Sequence, residues 1–477
     1  MTRPSPPATD FVGSAVELAV LEAAWRGRGS AFVPIYGRRR IGKSELILHF
    51  LRDKPAIYHL GKIAPALLQI REFLTEAART LDQPLLAEIA ATDWRAAFDA
   101  VERVGPSDGK LAIVLDEFQW TAGASPELPS LLQELWDRRW KRSGKIVLIL
   151  CGSFVGFMER EVLGKKSPLF GRRTAQIHLQ PFGYREAAEF HPGWSVPNQA
   201  RAYFVCGGVP MYLKAFDPAR SLESNIESNL LSEYAALFRE PEFLLREELR
   251  EVEAYHAVLH AIATRHTTAR EIAATSGLAE RSLHYYLEQL VQLGYVARRH
   301  PLTRGRANAR TVRFVLEDPL LRFWFHFVFP NRSFVQQMGP VRSFTDLIKP
   351  QLDAYFGGCF ERLCRQALPT LYARERVSAG FQVGEYWSKD VQIDVVGVRD
   401  DRWIDLGECK WGPVGSAPSL VAELDAKVQA FPNKHGDTIG RRIFTRGAAP
   451  ATRPRDVRWH SLDDLYEIGR ASCRERV

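Results

Sequence analysis

Cysteine is scarce in this sequence, and a long apolar run is missing. The 477 residues contain six cysteines, and no two of them form a Cys-x-x-Cys pair, which excludes a regular disulfide framework. The longest apolar run, LLRFWFHFVF, is too short to span a bilayer, and no signal peptide is recognisable. We therefore expect a protein of the reducing cytoplasm that has no membrane partner.

A composition typical of disorder is also missing. Hydrophobic residues make up 46% of the chain and charged residues 25%, which are globular values, and the length suggests about three domains. The net charge of +8 is partly concentrated. Residues 265–316 contain nine arginines against three acidic residues, a net charge of +6. This excess favours an anionic partner, and a solvated basic face is the alternative interpretation.

A phosphate-binding loop is the clearest motif. The segment GRRRIGKS follows an apolar run, AFVPIY, and precedes SELILHF, whose apolar residues have helical spacing. Glycines allow backbone N–H groups to turn toward phosphate oxygens at the start of a helix. We expect Lys43 to reach the β- and γ-phosphates and Ser44 to bind Mg²⁺. The alternative is a glycine-rich turn that binds nothing. The complete loop comprises Gly37, Arg38, Arg39, Arg40, Ile41, Gly42, Lys43 and Ser44, and its arginines either lie near the phosphates or form a solvated rim.

Three further elements fit the same site. The segment KLAIVLDEFQW predicts a buried strand that ends at Asp116 and Glu117, 73 residues after Lys43. We expect Asp116 to hold the Mg²⁺ shell and Glu117 to polarise the attacking water. Another strand, KIVLILCGS, ends at Ser153, which either senses the γ-phosphate or caps a helix. In SPLFGRR, Arg172 is placed to neutralise charge during phosphoryl transfer, or is simply solvated.

Alternating strands and helices from residue 30 to 180 predict a parallel sheet covered by helices on both faces. Residues 184–245 are predicted to form a helical lid, with a glycine turn at CGGVP. The segments FVGSAVEL, GRRRIGKS, LDEFQW, CGSF, SPLFGRR and GGVP together resemble the archaeal-type ATPases, which are close to AAA+ and STAND proteins. The resemblance covers about residues 10–245 and implies ATP and Mg²⁺ as ligands. Ser14 stands where that family usually has an arginine.

A winged helix-turn-helix is predicted in the middle of the chain. REIAATSGL gives a first helix ending at Gly277, and the following helix has an apolar face with Leu283 and Leu287. The segments GYVARRH and ARTVRFVLED are expected to form wing strands joined by a basic loop, Arg304 to Arg310. Such a unit places its second helix in a DNA major groove. The alternative is an internal lever or a dimer surface.

The segment VQIDVVGVRDDRWIDLGECKW predicts a hairpin of strands 391–398 and 403–410. The period of two places Glu408 and Lys410 on one face, and Asp394 on the partner strand is expected to meet Glu408. Upstream, a helix carries Glu361. Carboxylates that share Mg²⁺ or Mn²⁺, with a lysine beside them, suit phosphodiester hydrolysis. Solvated charges on a strand are the alternative.

Acid on a helix, Asp, then Glu-x-Lys resembles the PD-(D/E)xK nuclease superfamily, with Ile393 in the position before the Asp. This resemblance implies a restriction-nuclease-like α/β domain in which Glu361, Asp394 and Glu408 bind metal and Lys410 is catalytic. The segment EDPLLRFWFHFVFP resembles the link between archaeal-type ATPases and their nuclease-like C-terminal domain.

The predicted domains are an ATPase core at 10–183, a lid at 184–245, a winged helix at 246–316 and a nuclease-like domain at 317–467. Residues 468–477 resemble the translation of a sequencing adapter and are expected to be a scar. The predicted function is an ATP-driven switch that binds DNA and cleaves it, with a homo-oligomer left open. The alternatives are a signalling or scaffolding ATPase and a DNA-binding regulator without cleavage.

Overall fold

The computed structural model describes residues 11–106, 108–305, 311–450 and 453–467. These residues form two compact units. The first unit extends to Phe182 and includes Val209–Met211, and the second contains Gly183–Gly208 and the chain from Tyr212 onward. The predicted scar at 468–477 lies outside the described residues.

The first unit contains a five-stranded parallel sheet. Its strands are β1 (Ala31–Tyr36), β2 (Ala56–Leu60), β3 (Leu111–Asp116), β4 (Ile146–Gly152) and β5 (Ile177–His178). Their order is β2-β3-β4-β1-β5, so that β4 separates the strand before the phosphate loop from the strand that ends at Asp116. The predicted parallel sheet is confirmed.

Helices cover both faces of this sheet, as predicted. They are α1 (Ala15–Arg26), α2 (Lys43–Phe50), α3 (Ala66–Thr80), α4 (Trp94–Val104), α5 (Phe118–Ala124), α6 (Leu128–Leu135), α7 (Lys141–Ser143) and α8 (Val155–Phe157). Alternate strand residues enter two separate cores. Phe32 and Ile113 pack with α3 to α6, whereas Val33 and Val114 pack with α1 and α2.

The second unit begins with helices, as predicted for residues 184–245. They are α9 (Tyr184–Ala188), α10 (Val196–Cys206), α12 (Leu222–Leu230) and α13 (Glu240–Glu248), together with α11 (Pro210–Ala215), whose first two residues belong to the first unit. The turn before α11 contains Gly207 with φ of 64°, a conformation that favours glycine. Nowhere in the described residues is a helix both long and apolar enough to cross a membrane.

The winged helix-turn-helix follows, with α14 (Val252–Ala263), α15 (Ala269–Ser276), α16 (Glu280–Gln292), β6 (Val296–Arg299) and β7 (Arg313–Leu316). The Thr268 side chain caps α15, and Gly277 with φ of 72° ends it. On α16, Leu283 and Leu287 are buried, whereas Tyr285 is exposed. β6 and β7 pair in antiparallel fashion, which confirms the predicted wing strands.

The remaining chain forms α17 (Pro319–Phe323), α18 (Arg332–Ser343), α19 (Lys349–Arg374), β8 (Phe381–Trp387), β9 (Gln392–Arg399), β10 (Trp403–Lys410), α20 (Ala417–Ala430), β11 (Thr438–Thr445), β12 (Val457–Ser461) and α21 (Leu462–Glu467). The sheet order is β12-β11-β10-β9-β8. β8, β9 and β10 are antiparallel to one another, and β10, β11 and β12 are parallel. The predicted hairpin is confirmed, with β9 shifted by one residue.

The wing packs on this C-terminal sheet. The Leu302 N–H donates to the Glu385 carbonyl of β8 at 2.8 Å. Arg304 lies 2.7 Å from the buried carboxylate of Asp437 and donates to the Arg399 carbonyl at 2.6 Å. Arg304 was expected in a basic DNA-contacting loop, but its guanidinium is engaged within the protein. The rest of that loop, residues 306–310, lies outside the described residues.

A buried charge network fixes β11 against β10. Arg442 is fully buried and its Nε lies 2.8 Å from the equally buried Asp405 carboxylate. The Tyr372 hydroxyl donates to the same carboxylate at 2.7 Å, and Glu375 accepts from both Nη atoms of Arg442. His460 Nε2 lies 3.2 Å from Arg442. This network holds the sheet and α19 together.

Candidate nucleotide and metal sites

The phosphate loop has the backbone that the sequence pattern requires. Gly37 approaches β5 so closely that a Cβ there would lie 2.4 Å from the Leu179 carbonyl oxygen. Gly42 has φ of 88° and directly precedes α2. Lys43 is buried, and its ammonium donates to the carbonyls of Gly37 and Arg38 at 2.9 Å each. Burial lowers the pKa of Lys43. The loop carbonyls thus hold the lysine ammonium within the loop.

Ser44 and Asp116 are in direct contact. The Ser44 hydroxyl donates to Asp116 Oδ2 at 2.6 Å, and Asp116 is fully buried. Tyr58, on the neighbouring strand β2, donates its hydroxyl to the same oxygen. Burial and the Asp116 charge raise the pKa of Tyr58, so its phenol remains a donor. The sequence gives no signal for Tyr58, because only the pairing of β2 with β3 brings it to Asp116.

Glu117 is held by two side chains. The Ser153 hydroxyl donates to Glu117 Oε1 at 2.6 Å, and the Gln119 amide donates to Oε2. Glu117 has a left-handed backbone with φ of 49°, directly after β3. The N-cap residue of α8 is Phe154. The alternative that Ser153 caps a helix is therefore wrong for α8. β4 lies beside β3, which explains why Ser153 and Glu117 meet.

The loop arginines are half-buried. Ile41 between them and the lysine is buried in the core. The Arg39 guanidinium lies 5.5 Å from the Phe154 ring centre, and Arg40 has φ of 69°. Pro210 lies against the loop, since a Cβ on Gly42 would be 3.6 Å from its Cγ. The predicted glycine turn therefore brings its proline to the phosphate loop.

Arg172 is engaged by a carboxylate. Its Nη2 lies 2.7 Å from Asp137, and its Nε donates to both carboxylate oxygens at 3.0 Å. Nη1 donates to the carbonyls of Pro168 and Phe170. In this structure the guanidinium is bound within its own unit. Its role in phosphoryl transfer stays a prediction.

In the second unit, β9 and β10 are paired at Val395 and Gly407. Asp394 on β9 and Glu408 on β10 each lie one residue beyond this pair. Both carboxylates are buried, with 7% and 2% of each residue exposed. The Cys409 N–H donates to Asp394 Oδ2 at 3.0 Å. Burial raises the pKa of both acids to about 7, that of Asp394 also through Glu361 and that of Glu408 also through Asp394. The acids therefore lie close enough that the negative charge on one carboxylate disfavours ionisation of its neighbour.

Helix α20 covers the face that carries Glu408 and Lys410. Lys427 lies 2.5 Å from Glu408, and Lys410 lies 3.4 Å from it. Both lysines also contact Glu423 on α20, at 3.5 and 3.3 Å. Sequence reasoning missed Lys427 and Glu423, although their i,i+4 spacing on a helix indicated that they share a face. Glu408 is consequently buried between strand and helix instead of facing solvent.

Helix α19 contributes the third acid. Burial raises the pKa of Glu361, and the charges of Glu385 and Glu408 act in the same direction. Arg365, one turn later, donates to the Asp394 carbonyl at 2.5 Å and lies 3.6 Å from Glu385. The three acids predicted from the sequence are thus neighbours on α19, β9 and β10. Within the four described ranges, however, no three His, Cys, Asp or Glu side chains are assembled into a metal cluster.

The first unit has the strand order, loop and polar contacts of a P-loop ATPase domain. Residues 11–216 match a family model described as an ATPase domain predominantly from Archaea. This part of the chain is therefore an archaeal-type ATPase domain, as predicted. Residues 256–300 match the IclR helix-turn-helix domain, which confirms the predicted helix-turn-helix. Residues 324–418 match a family described as archaeal and bacterial proteins of unknown function. The nuclease-like interpretation stays a prediction.

Three archaeal proteins resemble this chain over most of its length. An uncharacterised protein of Methanocaldococcus jannaschii is 27% identical over 405 residues, which cover 84% of this chain and 87% of the relative. The Walker-type ATPase of Pyrococcus abyssi is 19% identical with a TM-score of 0.50, over 68% of this chain and 98% of that structure. The second likeness shows a shared fold alone. The ORC2 protein of Aeropyrum pernix is more distant, with 16% identity and a TM-score of 0.42 over 68% of this chain and 93% of that one.

Proposed function

We propose that this protein is an ATP-driven switch that binds DNA and carries a metal-dependent site for cleaving it. One observation carries the proposal: Asp394 and Glu408, buried on adjacent strands, lie beside Lys410 in the same unit as a winged helix. An ATPase domain alone explains neither the buried acids nor the helix-turn-helix.

For the ATPase domain, the donor set fits ATP with Mg²⁺. Ser44 and Asp116 supply a hydroxyl and a carboxylate oxygen, which are ligands that Mg²⁺ accepts. Mg²⁺ would neutralise charge that develops on the phosphates. Lys43 would exchange its two carbonyl partners for phosphate oxygens. Glu117, positioned by Ser153 and Gln119, would orient the attacking water.

For the acidic site, the electrostatics fit a divalent ion. Two buried carboxylates whose pKa values are raised to about 7 carry negative charge at a free-energy cost, and a cation between them would offset it. Such an ion polarises phosphate and lowers the pKa of a bound water. Glu361 is placed to join as a third acid, and Lys410 would stabilise developing charge on the phosphate. Mg²⁺ and Mn²⁺ both suit these oxygen ligands.

The DNA partner is supported by the winged helix. Its second helix presents Arg281, His284 and Tyr285 to solvent, and residues 265–316 carry a net charge of +6. Arginine and polar side chains on an exposed recognition helix suit base edges and phosphates. Because the wing packs on the C-terminal sheet, DNA bound there would lie beside the domain that carries the acids.

A second candidate is a scaffolding or regulatory ATPase without cleavage. This candidate is favoured by Lys427, whose ammonium lies 2.5 Å from the Glu408 carboxylate. A lysine in that position neutralises the carboxylate without a metal. The two candidates differ in whether a divalent ion displaces Lys427.

The test uses the full chain with supercoiled and linear DNA, with Mg²⁺ or Mn²⁺, and with or without ATP. We expect cleavage that requires the metal and is lost in Asp394→Ala, while ATP turnover stays near the wild-type rate. Asp390→Ala, at an exposed aspartate in the turn that precedes β9, serves as the control. Isothermal titration with Mn²⁺ in the absence of ATP gives an independent readout. Identical Mn²⁺ binding by the wild type and Asp394→Ala would favour the scaffolding candidate.

A further inference from the structure

Three arginines from separate elements meet between the winged helix and α19. Arg299 ends β6, Arg322 lies on α17, and Arg362 lies on α19 directly after Glu361. The Nη1 atoms of Arg322 and Arg362 both donate to the Leu316 carbonyl, at 3.3 and 2.9 Å. Their guanidinium groups are therefore close together.

A single carboxylate pairs with this cluster. Glu317 lies 2.6 Å from Arg299 and 3.7 Å from Arg362, and within the described residues these are the ion pairs that the three arginines make. The next charged groups are Arg365, Glu361 and Glu385, which brings the total to four guanidinium groups and three carboxylates. Within the cluster itself, three guanidinium groups therefore face one carboxylate.

Two arginines of the cluster are partly exposed and retain donors. The side chains of Arg299 and Arg362 are 37% and 25% exposed. Among the hydrogen bonds of the described residues, Arg299 uses one N–H group and Arg362 uses one. A guanidinium offers five N–H donors in a planar fork that matches phosphate oxygens. Two such forks beside each other suit an oxyanion with several acceptor atoms.

We propose that Arg299 and Arg362 form a binding site for phosphoryl oxyanions, with Arg322, whose nitrogens bond to Tyr355, Leu316 and Cys359, adding positive charge behind them. The residues around this site indicate which molecule would supply the phosphate. Arg299 belongs to the wing and Arg362 adjoins Glu361, so a nucleic-acid backbone passing from the winged helix to the acids would cross the cluster. Assigning the phosphate to DNA rests on the proposed function, whereas the oxyanion site itself does not. Free phosphate is the other source of the same chemistry.

The test measures binding of a labelled 20-base-pair duplex to the full chain in EDTA, so that cleavage plays no part. We expect Arg299→Gln to weaken binding roughly fivefold and to reduce the slope of log affinity against log salt by about one. Arg299→Gln combined with Arg362→Gln should weaken it further. Arg342 on α18 is exposed and pairs with Asp346. Arg342→Gln is therefore the control and should bind the duplex as the wild type does.

Glu317→Gln separates binding from packing. If the cluster binds oxyanions, removal of the competing carboxylate should tighten duplex binding several-fold. If the arginines serve packing alone, Glu317→Gln lowers the melting temperature without tighter binding, which would overturn the proposal. Because EDTA removes divalent ions, duplex binding is measured without cleavage, so failure of the cleavage proposal leaves this result readable.

Titration with inorganic phosphate distinguishes the two sources. Loss of duplex affinity in the arginine variants, without phosphate binding to the wild type, supports a nucleic-acid backbone. Phosphate binding that is lost in the double variant, with unchanged duplex affinity, supports free phosphate. If folded variants change neither affinity, the oxyanion site does not exist.

Discussion

The Ser153 hydroxyl donates a 2.6 Å hydrogen bond to the carboxylate of Glu117. Ser153 follows β4 and Glu117 follows β3, so the contact joins the ends of two adjacent strands. It orients the carboxylate. A γ-phosphate that drew the Ser153 hydroxyl away would also change the position of Glu117.

This contact predicts different outcomes for two substitutions. Glu117→Gln should preserve ATP binding and stop hydrolysis, because Asp116 remains. Ser153→Ala should preserve binding and slow hydrolysis about tenfold, since one orienting hydrogen bond is worth roughly 1–2 kcal/mol. Steady-state phosphate release and ATP titration measure the two effects. Hydrolysis by Glu117→Gln at the wild-type rate would contradict the assigned role.

Lys43→Ala should weaken ATP binding by about 2–3 kcal/mol, because a charged contact to the β- and γ-phosphates is lost. The folded state should tolerate the change, since it removes a buried charge whose pKa is already lowered. Calorimetric titration with ATP gives the affinity. Lys166→Ala, at an exposed position in the same unit, should leave it unchanged.

Arg304→Ala should destabilise the second unit by about 2–3 kcal/mol, because it removes the closest cation from the buried Asp437 carboxylate. Arg402 contacts the same carboxylate at 3.7 Å but is 68% exposed, so Arg402→Ala should cost less than about 1 kcal/mol. Urea unfolding of both variants measures the difference. Equal effects would show that the Arg304 contact contributes little.

His460 predicts a loss of stability in acid. Burial and the charge of Arg442 lower its pKa from 6.5 to about 4. Between these values the unfolded chain binds a proton that the folded chain does not, so stability falls as the pH drops below 6.5. The loss should reach about 2 kcal/mol at pH 5. His460→Gln should reduce the change in melting temperature between pH 7 and pH 5, whereas exposed His435→Gln should not.

The local elements were predictable because each has its own signal in the sequence. The phosphate loop, the strand before Asp116 and the hairpin before Lys410 depend on glycine spacing and on a period of two, which neighbouring residues specify. The cap of α15 at Thr268 and its end at Gly277 are equally local. The same signals assigned Ser153 and Glu117 to one nucleotide site, each at the end of a strand.

Contacts between elements distant in the chain were not predictable. Tyr58 reaches Asp116 through strand pairing, and Lys427 reaches Glu408 through the packing of α20. Arg304 reads as part of a basic loop, yet its partner Asp437 is 133 residues away. A charge pattern indicates where cations are abundant, but the fold decides which of them are already paired.

The position of the wing on β8 has a further consequence. β8 is the terminal strand of its sheet, and Leu302 supplies a backbone hydrogen bond along its outer side, while Arg313 stacks on Trp387. Uncovered edge strands recruit strands from other molecules. A truncation that removes residues before 317 would leave this edge and its tryptophan bare. Such a fragment is expected to self-associate through this edge. The winged helix therefore also protects the protein from aggregation.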